Sequence, residues 1–378
     1  MNPPATHLEH RIIARILCEG PITFRQFMQA ALYDENLGYY NTQRVKIGAE
    51  GDYYTSSNVH AAFGKAMARA MIDLWNENAL TIVEMGAGTG RLAADILTAI
   101  REDHPSIFEQ LSYVIVETSP AMRRLQQERL NGFGHQVGWR SLEEIASNPV
   151  SGIFFSNELV DALPVHRVRQ VAQAVGLRTS SLEEQYVTID HAGAAPRLAL
   201  EWGELSSERL IEYVERCGAT LKEGWVAEIN LDAIDWLDKI SKAMERGYLI
   251  TVDYGDVAQH LIGADRREGT LRSFYRHRLS HSPLERVGEQ DITASVNFTA
   301  LVEYGRDAGF EAISYERQSA FLVRNGLVEI IASMEASTGS IDDMKERLAI
   351  KSLFLPGGVS DNFRALVQRK DSPVSTAI

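Results

Sequence analysis

The sequence predicts an α/β fold with a doubly wound parallel sheet, and two observations lead to that prediction. From residue 80 onward, short apolar runs alternate with helical patterns, as in LTIVEM followed by RLAADILTAIRED. The first apolar run ends in the glycine loop GAGTG, which is typical of a turn from a strand into a helix. Strands that alternate with helices indicate parallel pairing, because each helix returns the chain to the same end of the sheet.

The amino-terminal segment, residues 1–79, is predicted to be a helical extension. PITFRQFMQAALY predicts a helix capped by Thr23, because a threonine hydroxyl can accept a free backbone N–H of the first turn. A loop rich in glycine and tyrosine follows, and loops of this length inside compact domains are often functional. AAFGKAMARAMIDLWNEN then predicts a helix, since its apolar residues share one stripe.

Residues 80–165 are predicted to form the first part of the core. The four strands lie in LTIVEM, LSYVIV, QVGW and SGIFFSNE, and the helix PAMRRLQQERL has Pro120 in its first turn. Beyond residue 230, in the second part of the core, the sequence predicts the helix LDAIDWLDKISKAMERG, which Gly247 is predicted to stop. A fifth parallel strand, YLITVDYG, follows this helix.

An inserted substrate cap is predicted at residues 166–228, where short strands, turns and the helix SSERLIEYVERC break the alternating pattern. Residues 229–378 form the second part of the core in this interpretation. There the sequence predicts a polar loop at 269–298, the helix FTALVEYGRDAGF, a strand region EAISYERQSAFLV and helices at 327–336 and 341–350. The final predicted strand is FRALVQRK.

Composition and charge exclude several classes of function. The 378 residues are enough for one large domain, or for a domain with an insertion. A formal net charge of −13 argues against a general nucleic-acid binder, which would show a basic surface. No apolar run reaches the length of a membrane span, so we expect no membrane partner either. The expected partners therefore include neither nucleic acid nor a membrane.

Cysteine usage and the amino terminus favour the cytoplasm. Cys18 and Cys217 lie far apart and form no CxxC pair, which is typical of a reducing compartment. The first 20 residues carry charges and no long apolar stretch, unlike a secretory signal. The histidine pairs HLEH and HRLSH have no further ligands beside them, so we expect no metal site.

The glycine loop predicts a cofactor site. Gly86, Gly88 and Gly90 follow Glu84 at the end of the first strand, and Glu117 ends the second strand, where a carboxylate can accept ribose hydroxyls. A dinucleotide fingerprint would place the third glycine one position later. The spacing therefore favours S-adenosylmethionine, although a dehydrogenase and a simple structural turn stay open.

Polar residues also follow the fourth strand, in SNELVDALP. Ligands of open parallel sheets bind beyond the carboxyl ends of the strands, so these side chains would face the reactive methyl group. A carboxylate there can hold an amine or a guanidinium and can steer its proton. We predict Glu158 and Asp161 as the catalytic residues; alternatively, Asp161 caps a local turn and Glu158 pairs with an arginine.

These segments resemble the MidA-like methyltransferases, whose mitochondrial members assist the assembly of respiratory complex I by methylating a protein arginine. The resemblance is carried by LGYY, EGDYYTSS, VEMGAGTGRLAADIL, SNELVDALPVHR, VDYG, GTLRSFYRHR and DITASVNF. It implies a Rossmann-like class I methyltransferase with a seven-stranded, mostly parallel sheet, and S-adenosyl-L-methionine as the methyl donor. The chain departs from the family pattern at Ala87, Ser141 and Ser295.

The resemblance also implies that the loop around residues 51–57 covers the cofactor. The predicted cofactor-binding residues are Thr55, Ser56, Glu84, Gly86, Gly88, Gly90, Glu117, Ser141 and Asn157. The predicted substrate-binding residues are Tyr54, His166, Tyr254 and His277.

The expected function is methyl transfer from S-adenosylmethionine to a protein side chain, with arginine suggested by the resemblance. Two alternatives stay open: a small-molecule O- or N-methyltransferase with the cap closed over a metabolite, and a non-catalytic assembly factor that still binds S-adenosylmethionine. The partner is then a protein or a small-molecule methyl acceptor, and a homodimer is also left open.

Overall fold

The structure, a computed structural model, describes residues 5–42, 61–76, 79–172, 182–192, 195–276, 278–335 and 359–371. The chain divides into two compact units, each made of three segments. We call one the core unit; it comprises Tyr54–Val160, Trp236–Tyr254 and Tyr304–Ile378. We call the other the second unit; it comprises Met1–Tyr53, Asp161–Asp235 and Gly255–Glu303.

The helices and strands are numbered along the chain. The helices are α1 His7–Glu19, α2 Phe24–Tyr33, α3 Ala61–Leu74, α4 Arg91–Asp103, α5 Pro105–Glu109, α6 Pro120–Leu130, α7 Leu142–Ala146, α8 Arg209–Arg216, α9 Leu231–Ala243, α10 Ala258–Leu261, α11 Phe298–Asp307, α12 Gln318–Arg324 and α13 Leu327–Glu335. The strands are β1 Ile22–Thr23, β2 Thr81–Met85, β3 Ser112–Val116, β4 Val137–Trp139, β5 Val150–Asn157, β6 His166–Gln170, β7 Leu182–Asp190, β8 Arg197–Gly203, β9 Val226–Ile229, β10 Met244–Asp256, β11 Arg272–Tyr275, β12 Arg278–Leu279, β13 Asp291–Thr293, β14 Val296–Asn297, β15 Glu311–Arg317 and β16 Phe363–Lys370.

The core unit is built on a sheet whose main path has seven strands in the order β4-β3-β2-β5-β10-β16-β15. The two-residue strand β14 pairs off this path with the last two residues of β10. The first five strands of this order are parallel, and β16 is antiparallel to both of its neighbours. The predicted seven-stranded, mostly parallel sheet is therefore confirmed. Because the parallel strands end at one edge, the chain segments that follow β2, β3, β5 and β10 meet there.

Helices α3 and α4 cover one face of this sheet. Phe63, Met67 and Ile96 are completely buried against Phe155 of β5, and burial of each such side chain contributes roughly 1.5–3 kcal/mol. The two helices approach closely at Gly64, where an added Cβ would lie 2.5 Å from the Asp95 Cβ. The predicted apolar stripe of α3 is thus the stripe that packs.

The second unit joins the amino-terminal helices to the inserted strands. Its main sheet has the order β1-β7-β6-β9, with β8 paired to β7. Leu8, Phe27 and Met28 of α1 and α2 pack with Val187 of β7 in one apolar cluster. The predicted cap of Thr23 is confirmed, since its hydroxyl accepts the Gln26 N–H at 3.2 Å.

A buried arginine network holds β6 of the second unit. The Arg167 guanidinium donates to Glu228 Oε1 at 3.1 Å, to Gln185 Oε1 and to the carbonyl of Glu268. Glu228 in turn accepts two bonds from Thr270, so one ion pair connects β6, β9 and the segment before β11. Both charges are almost completely removed from solvent.

Three predicted elements differ from the structure. The strand region EAISYERQSAFLV ends at Arg317 and continues as α12, because Gln318, Phe321 and Leu322 are buried at helical spacing. The predicted polar loop at 269–298 contains the three-stranded sheet β12-β11-β13. Gly247 lies inside β10 rather than at the end of α9. A Cβ added at Gly247 would collide with the carbonyl of Gly152 on the neighbouring strand.

The helix predicted at 327–336 is confirmed as α13, and the one predicted at 341–350 lies outside the described residues. Among the helices that the structure describes, none has the length and apolarity needed to cross a bilayer.

Candidate cofactor-binding and active site

The glycine loop after β2 has a backbone that other residues would strain. Gly86, Gly88 and Gly90 have φ values of 72°, 52° and 74°, in the left-handed region that favours glycine. An added Cβ at Gly86 would lie only 2.8 Å from Leu159 Cδ1. The Gly86 N–H donates to the Val116 carbonyl at 3.0 Å, which fixes the loop to the end of β3.

Glu117 follows β3 at the same edge of the sheet. Its Oε1 accepts the Ser119 N–H at 2.8 Å, and its Oε2 accepts Gln126 Nε2 at 2.9 Å. A carboxylate oxygen can accept more than one hydrogen bond, so this geometry still leaves acceptor capacity for ribose hydroxyls. The side chain is half-buried, as expected for a ligand-binding carboxylate.

Gln126 is a completely buried residue of α6 that the sequence interpretation did not identify. Its Nε2 donates to the Gly88 carbonyl at 2.9 Å as well as to Glu117, and its Oε1 accepts the Trp139 indole N–H at 2.9 Å. One sequence signal pointed to it: Gln126 is the polar member of the otherwise apolar buried stripe of α6.

Glu84, predicted as a cofactor residue, is buried in the core unit at the end of β2. Tyr113 donates to its Oε2 at 2.7 Å. Burial raises the pKa of Glu84 to about 8, the hydrogen bond from Tyr113 opposes that rise, and the negative charge of Glu117 adds to it. Glu84 is therefore predominantly protonated and neutral at pH 7.

The end of β5 carries a strained residue. Glu158 is not a glycine, yet it has a φ of 54°, and its N–H donates to the Val252 carbonyl at 2.9 Å. Its Oε1 lies 3.3 Å from Asn157 Nδ2. Asn157 is buried, and its Oδ1 has no hydrogen-bond partner among the described residues. Strain of this kind is often found at functional sites.

Asp253, three residues before the end of β10, fixes the turn that contains Glu158. Its carboxylate is completely buried and accepts the Val160 N–H at 2.9 Å and the Tyr254 N–H at 2.9 Å. Tyr254, predicted to bind substrate, packs edge-on against Phe363 with 5.8 Å between the ring centroids. The two hydrogen bonds of the Asp253 carboxylate described above both come from backbone N–H groups, so its task in the structure is to hold backbone.

Two predicted site residues lie in the second unit. The Asp161 side chain is buried, and its backbone carbonyl accepts the Ala294 N–H at 2.9 Å. His166 Nδ1 lies 2.6 Å from Glu184 Oε1 in the interior. Burial by itself would raise the pKa of Glu184, but hydrogen bonds from His166 and the Ser206 N–H hold it below its usual value.

Ser141 is the N-cap of α7 in the core unit. Its hydroxyl accepts the Glu144 N–H at 3.1 Å, while its own N–H donates to Glu144 Oε2 at 2.7 Å. This capping box gives Ser141 a local structural task, and its contact with a cofactor stays a prediction. The predictions for Tyr54, Thr55, Ser56 and His277 fall outside the described residues.

The carboxyl edge of the core unit fits S-adenosylmethionine. The glycine loop allows close approach of a ligand to the backbone, Glu117 offers acceptors for ribose hydroxyls, and the buried Asn157 Oδ1 lacks a donor among the described residues. Within the described ranges no group of three or more metal-ligating side chains occurs. The sheet and this edge define a Rossmann-like, cofactor-binding class I fold.

The chain belongs to the family described as "Putative S-adenosyl-L-methionine-dependent methyltransferase", whose model matches residues 66–315. The protein is thus a methyltransferase that uses S-adenosyl-L-methionine, and the resemblance found in the sequence motifs is confirmed at this level.

Curated relatives carry a more specific name. The protein arginine methyltransferase NDUFAF7, mitochondrial, of Danio rerio is 27% identical over 333 residues, which cover 79% of this chain and 72% of the relative. Its human counterpart is 26% identical over 358 residues, which cover 86% of this chain and 74% of the relative.

Two crystal structures share the fold over nearly the whole chain. A Burkholderia thailandensis protein bound to S-adenosyl-homocysteine has a TM-score of 0.85 and 27% identity, and the match covers 98% of this chain and 95% of that one. A native crystal structure of a protein from the same organism has a TM-score of 0.83 and 26% identity.

Proposed function

We propose that this methyltransferase methylates an arginine side chain of a protein. The curated relatives named above are called protein arginine methyltransferases, and they match most of this chain. The site adds support, because a half-buried carboxylate at the end of β5 suits a guanidinium, which donates through several N–H groups at once.

The observation that carries the proposal is the strained conformation of Glu158. A φ of 54° costs free energy, and the buried Asp253 compensates by holding the Val160 N–H two residues later. The carboxylate is therefore kept at the edge where the glycine loop and Glu117 also end. A preorganised carboxylate loses little entropy when it binds a planar guanidinium.

When bound, S-adenosylmethionine supplies an electrophilic methyl group on its sulfonium sulfur. The role of Glu158 is to accept guanidinium N–H groups and orient one nitrogen toward that methyl group. As the nitrogen loses its proton, the same carboxylate can take it up or pass it to water. Asn157 Nδ2 lies within reach of Glu158 Oε1, at 3.3 Å, and limits its rotation.

The test is transfer of radiolabelled methyl groups from S-adenosylmethionine into a cell extract, followed by amino-acid analysis of the labelled protein. We expect methylarginine with the wild-type chain and at least a hundredfold less with Glu158→Gln, which keeps the shape but removes the charge. Glu102→Gln, on the exposed surface of α4, is the matched control and should behave as wild type.

Other outcomes of the same assay separate the alternatives. Label confined to the small-molecule fraction would replace the arginine proposal with a metabolite methyltransferase. Binding of S-adenosylmethionine without transfer to any fraction would favour a non-catalytic assembly factor.

We also propose a cytoplasmic location and no nucleic-acid partner. Cys18 and Cys217 are free cysteines, and burial raises the pKa of the Cys217 thiol to about 12, which keeps it in the unreactive thiol form. The net charge of −13 disfavours phosphate backbones. Cell fractionation tests the location, and light scattering of the purified chain tests the homodimer that the sequence left open.

A further inference from the structure

We propose that Gln126 is a positioning residue for cofactor binding, which aims the Glu117 carboxylate and fixes the glycine loop through a single buried amide. The inference depends on the family's cofactor and not on the arginine acceptor proposed above. It concerns a residue of α6, outside the loop and strand ends to which the sequence motifs pointed.

The contacts define the orientation of the amide without ambiguity. The Trp139 indole nitrogen can only donate, so the atom it contacts at 2.9 Å is the Gln126 carbonyl oxygen. The Gly88 carbonyl and the Glu117 carboxylate can only accept, so both face the NH₂ group, each at 2.9 Å. All three partners are therefore consistent with one assignment of the amide, in which the oxygen faces Trp139 and the NH₂ group faces Gly88 and Glu117.

Burial makes these bonds strong. Gln126 is completely buried, and one of its bonds goes to a charged acceptor. Charge-assisted bonds are roughly twice as strong as neutral ones, so the bond from Gln126 constrains the half-buried Glu117 carboxylate more than a neutral bond would. The amide therefore restricts Glu117 to one direction.

The same helix fixes Glu117 from a second point. The Ser119 N–H, at the start of α6, donates to the other carboxylate oxygen at 2.8 Å. Glu117 is thus held by one donor from the N-cap residue of α6 and one from its second turn. Both constraints would otherwise have to be established when the ribose binds, at a cost in affinity.

Close packing supports the contact between Gln126 and the glycine loop. An added Cβ at Gly90 would lie 3.3 Å from both Cα and Cγ of Gln126. The loop therefore lies directly on the α6 backbone at this residue, and the Gly88 carbonyl is turned toward the amide. A change at Gln126 acts on the loop and on the carboxylate together.

The experiment is a double-mutant cycle measured by calorimetric titration of S-adenosyl-homocysteine into the full chain. We compare wild type, Gln126→Leu, Glu117→Ala and the double variant. We expect Gln126→Leu to weaken binding roughly tenfold or more, as loss of a charge-assisted bond implies. In the Glu117→Ala background, the same change should weaken binding by a factor at least about threefold smaller than in the wild-type chain, because the carboxylate it aims is gone and only its bond to the Gly88 carbonyl is left to lose.

Gln318→Leu is the matched control. Gln318 is also a completely buried glutamine of the core unit, and neither polar atom of its amide has a hydrogen-bond partner among the described residues. Its replacement should leave binding unchanged. If Gln126→Leu does not fold, Gln126→Met gives the same test, since it keeps the unbranched length of the side chain but removes both donors and adds no charge.

The outcomes are distinct. If the affinity of the double variant falls by the product of the two single-variant losses, Gln126 acts independently of Glu117 and the inference is overturned. If Gln126→Leu binds S-adenosyl-homocysteine as well as wild type, Gln126 has no role in binding and the inference is also overturned. A chain that shows the expected cycle but does not methylate arginine would refute the proposed acceptor and support the positioning role.

Discussion

Replacement of the buried acid Glu84 by glutamine should change how the stability of the protein depends on pH. Glu84 is 2% exposed, and its pKa is raised from the usual 4.5 to about 8 by burial, with the Tyr113 hydrogen bond acting in the opposite direction. Between these two values the folded chain keeps a proton at Glu84 that the unfolded chain has released. Glutamine keeps the neutral shape and cannot titrate.

The sign and size follow from proton linkage. Because the native state binds one more proton than the unfolded state in this window, the free energy of unfolding falls as the pH rises, by about 1.4 kcal/mol per unit for this one group. From pH 5.5 to 7.5 the wild-type chain should therefore lose about 3 kcal/mol relative to Glu84→Gln. At pH values below the pKa of Glu84 in the unfolded chain, and again above about 8, the difference in unfolding free energy between wild type and Glu84→Gln should not change with pH.

Thermal unfolding at several pH values measures this difference. At roughly 2–4 °C per kcal/mol, the gap in Tm between the two chains should change by roughly 6–12 °C from pH 5.5 to 7.5, in favour of Glu84→Gln. Glu102→Gln, on the exposed surface, controls for the loss of a carboxyl group. Tyr113→Phe should extend the window to higher pH, since it removes the bond that opposes the shift. A gap that does not change with pH would show that Glu84 is ionised in the folded chain and would refute the reasoning.

Three further predictions concern the loop, the turn and the second unit. Gly86→Ala should weaken S-adenosyl-homocysteine binding more than tenfold in calorimetry, because its φ of 72° lies in the left-handed region that a Cβ strains, whereas Gly132→Ala, with open space around it, should not; equal binding by the two variants would contradict this. Asp253→Ala should lower kcat at least tenfold in the methyl-transfer assay with little change in cofactor affinity, since it frees the turn after β5; an unchanged kcat would exclude a role for that turn. Arg167→Ala should cost about 3–5 kcal/mol in denaturant unfolding because it leaves a buried carboxylate unpaired, and Arg169→Ala, in a half-exposed pair on the same strand, should cost less than about 1 kcal/mol; similar losses would refute the distinction.

Much of the core unit could be predicted from local patterns. The strand and helix that surround Gly86, Gly88 and Gly90 are specified by an apolar run, a glycine turn and helical spacing within about 25 residues of each other. Glu117 followed from the same logic one strand later. Such signals are local, because each depends on the periodicity of one element and on the conformational freedom of glycine.

The contacts that hold these residues are not local and could not be predicted. Gln126 lies 38 residues from Gly88 and 13 from Trp139, and only the packing of α6 against the loop brings the three together. Likewise, the sequence predicted Glu84 as a cofactor-binding residue, and its burial beside Tyr113, which keeps it a neutral acid, could not be predicted. Desolvation depends on every neighbour in space.

The sequence by itself determined the fold class and the edge of the sheet where a cofactor would bind, because hydrophobic period and glycine placement act over short stretches of chain. The glycine spacing favoured S-adenosylmethionine, and the resemblance to a known family implied it. Only the tertiary structure decided the strand order, the union of α1 and α2 with the inserted strands, and the interior networks around Gln126 and Arg167. Those features depend on which distant surfaces exclude water from one another, and hydrogen bonds gain strength only where that exclusion has occurred.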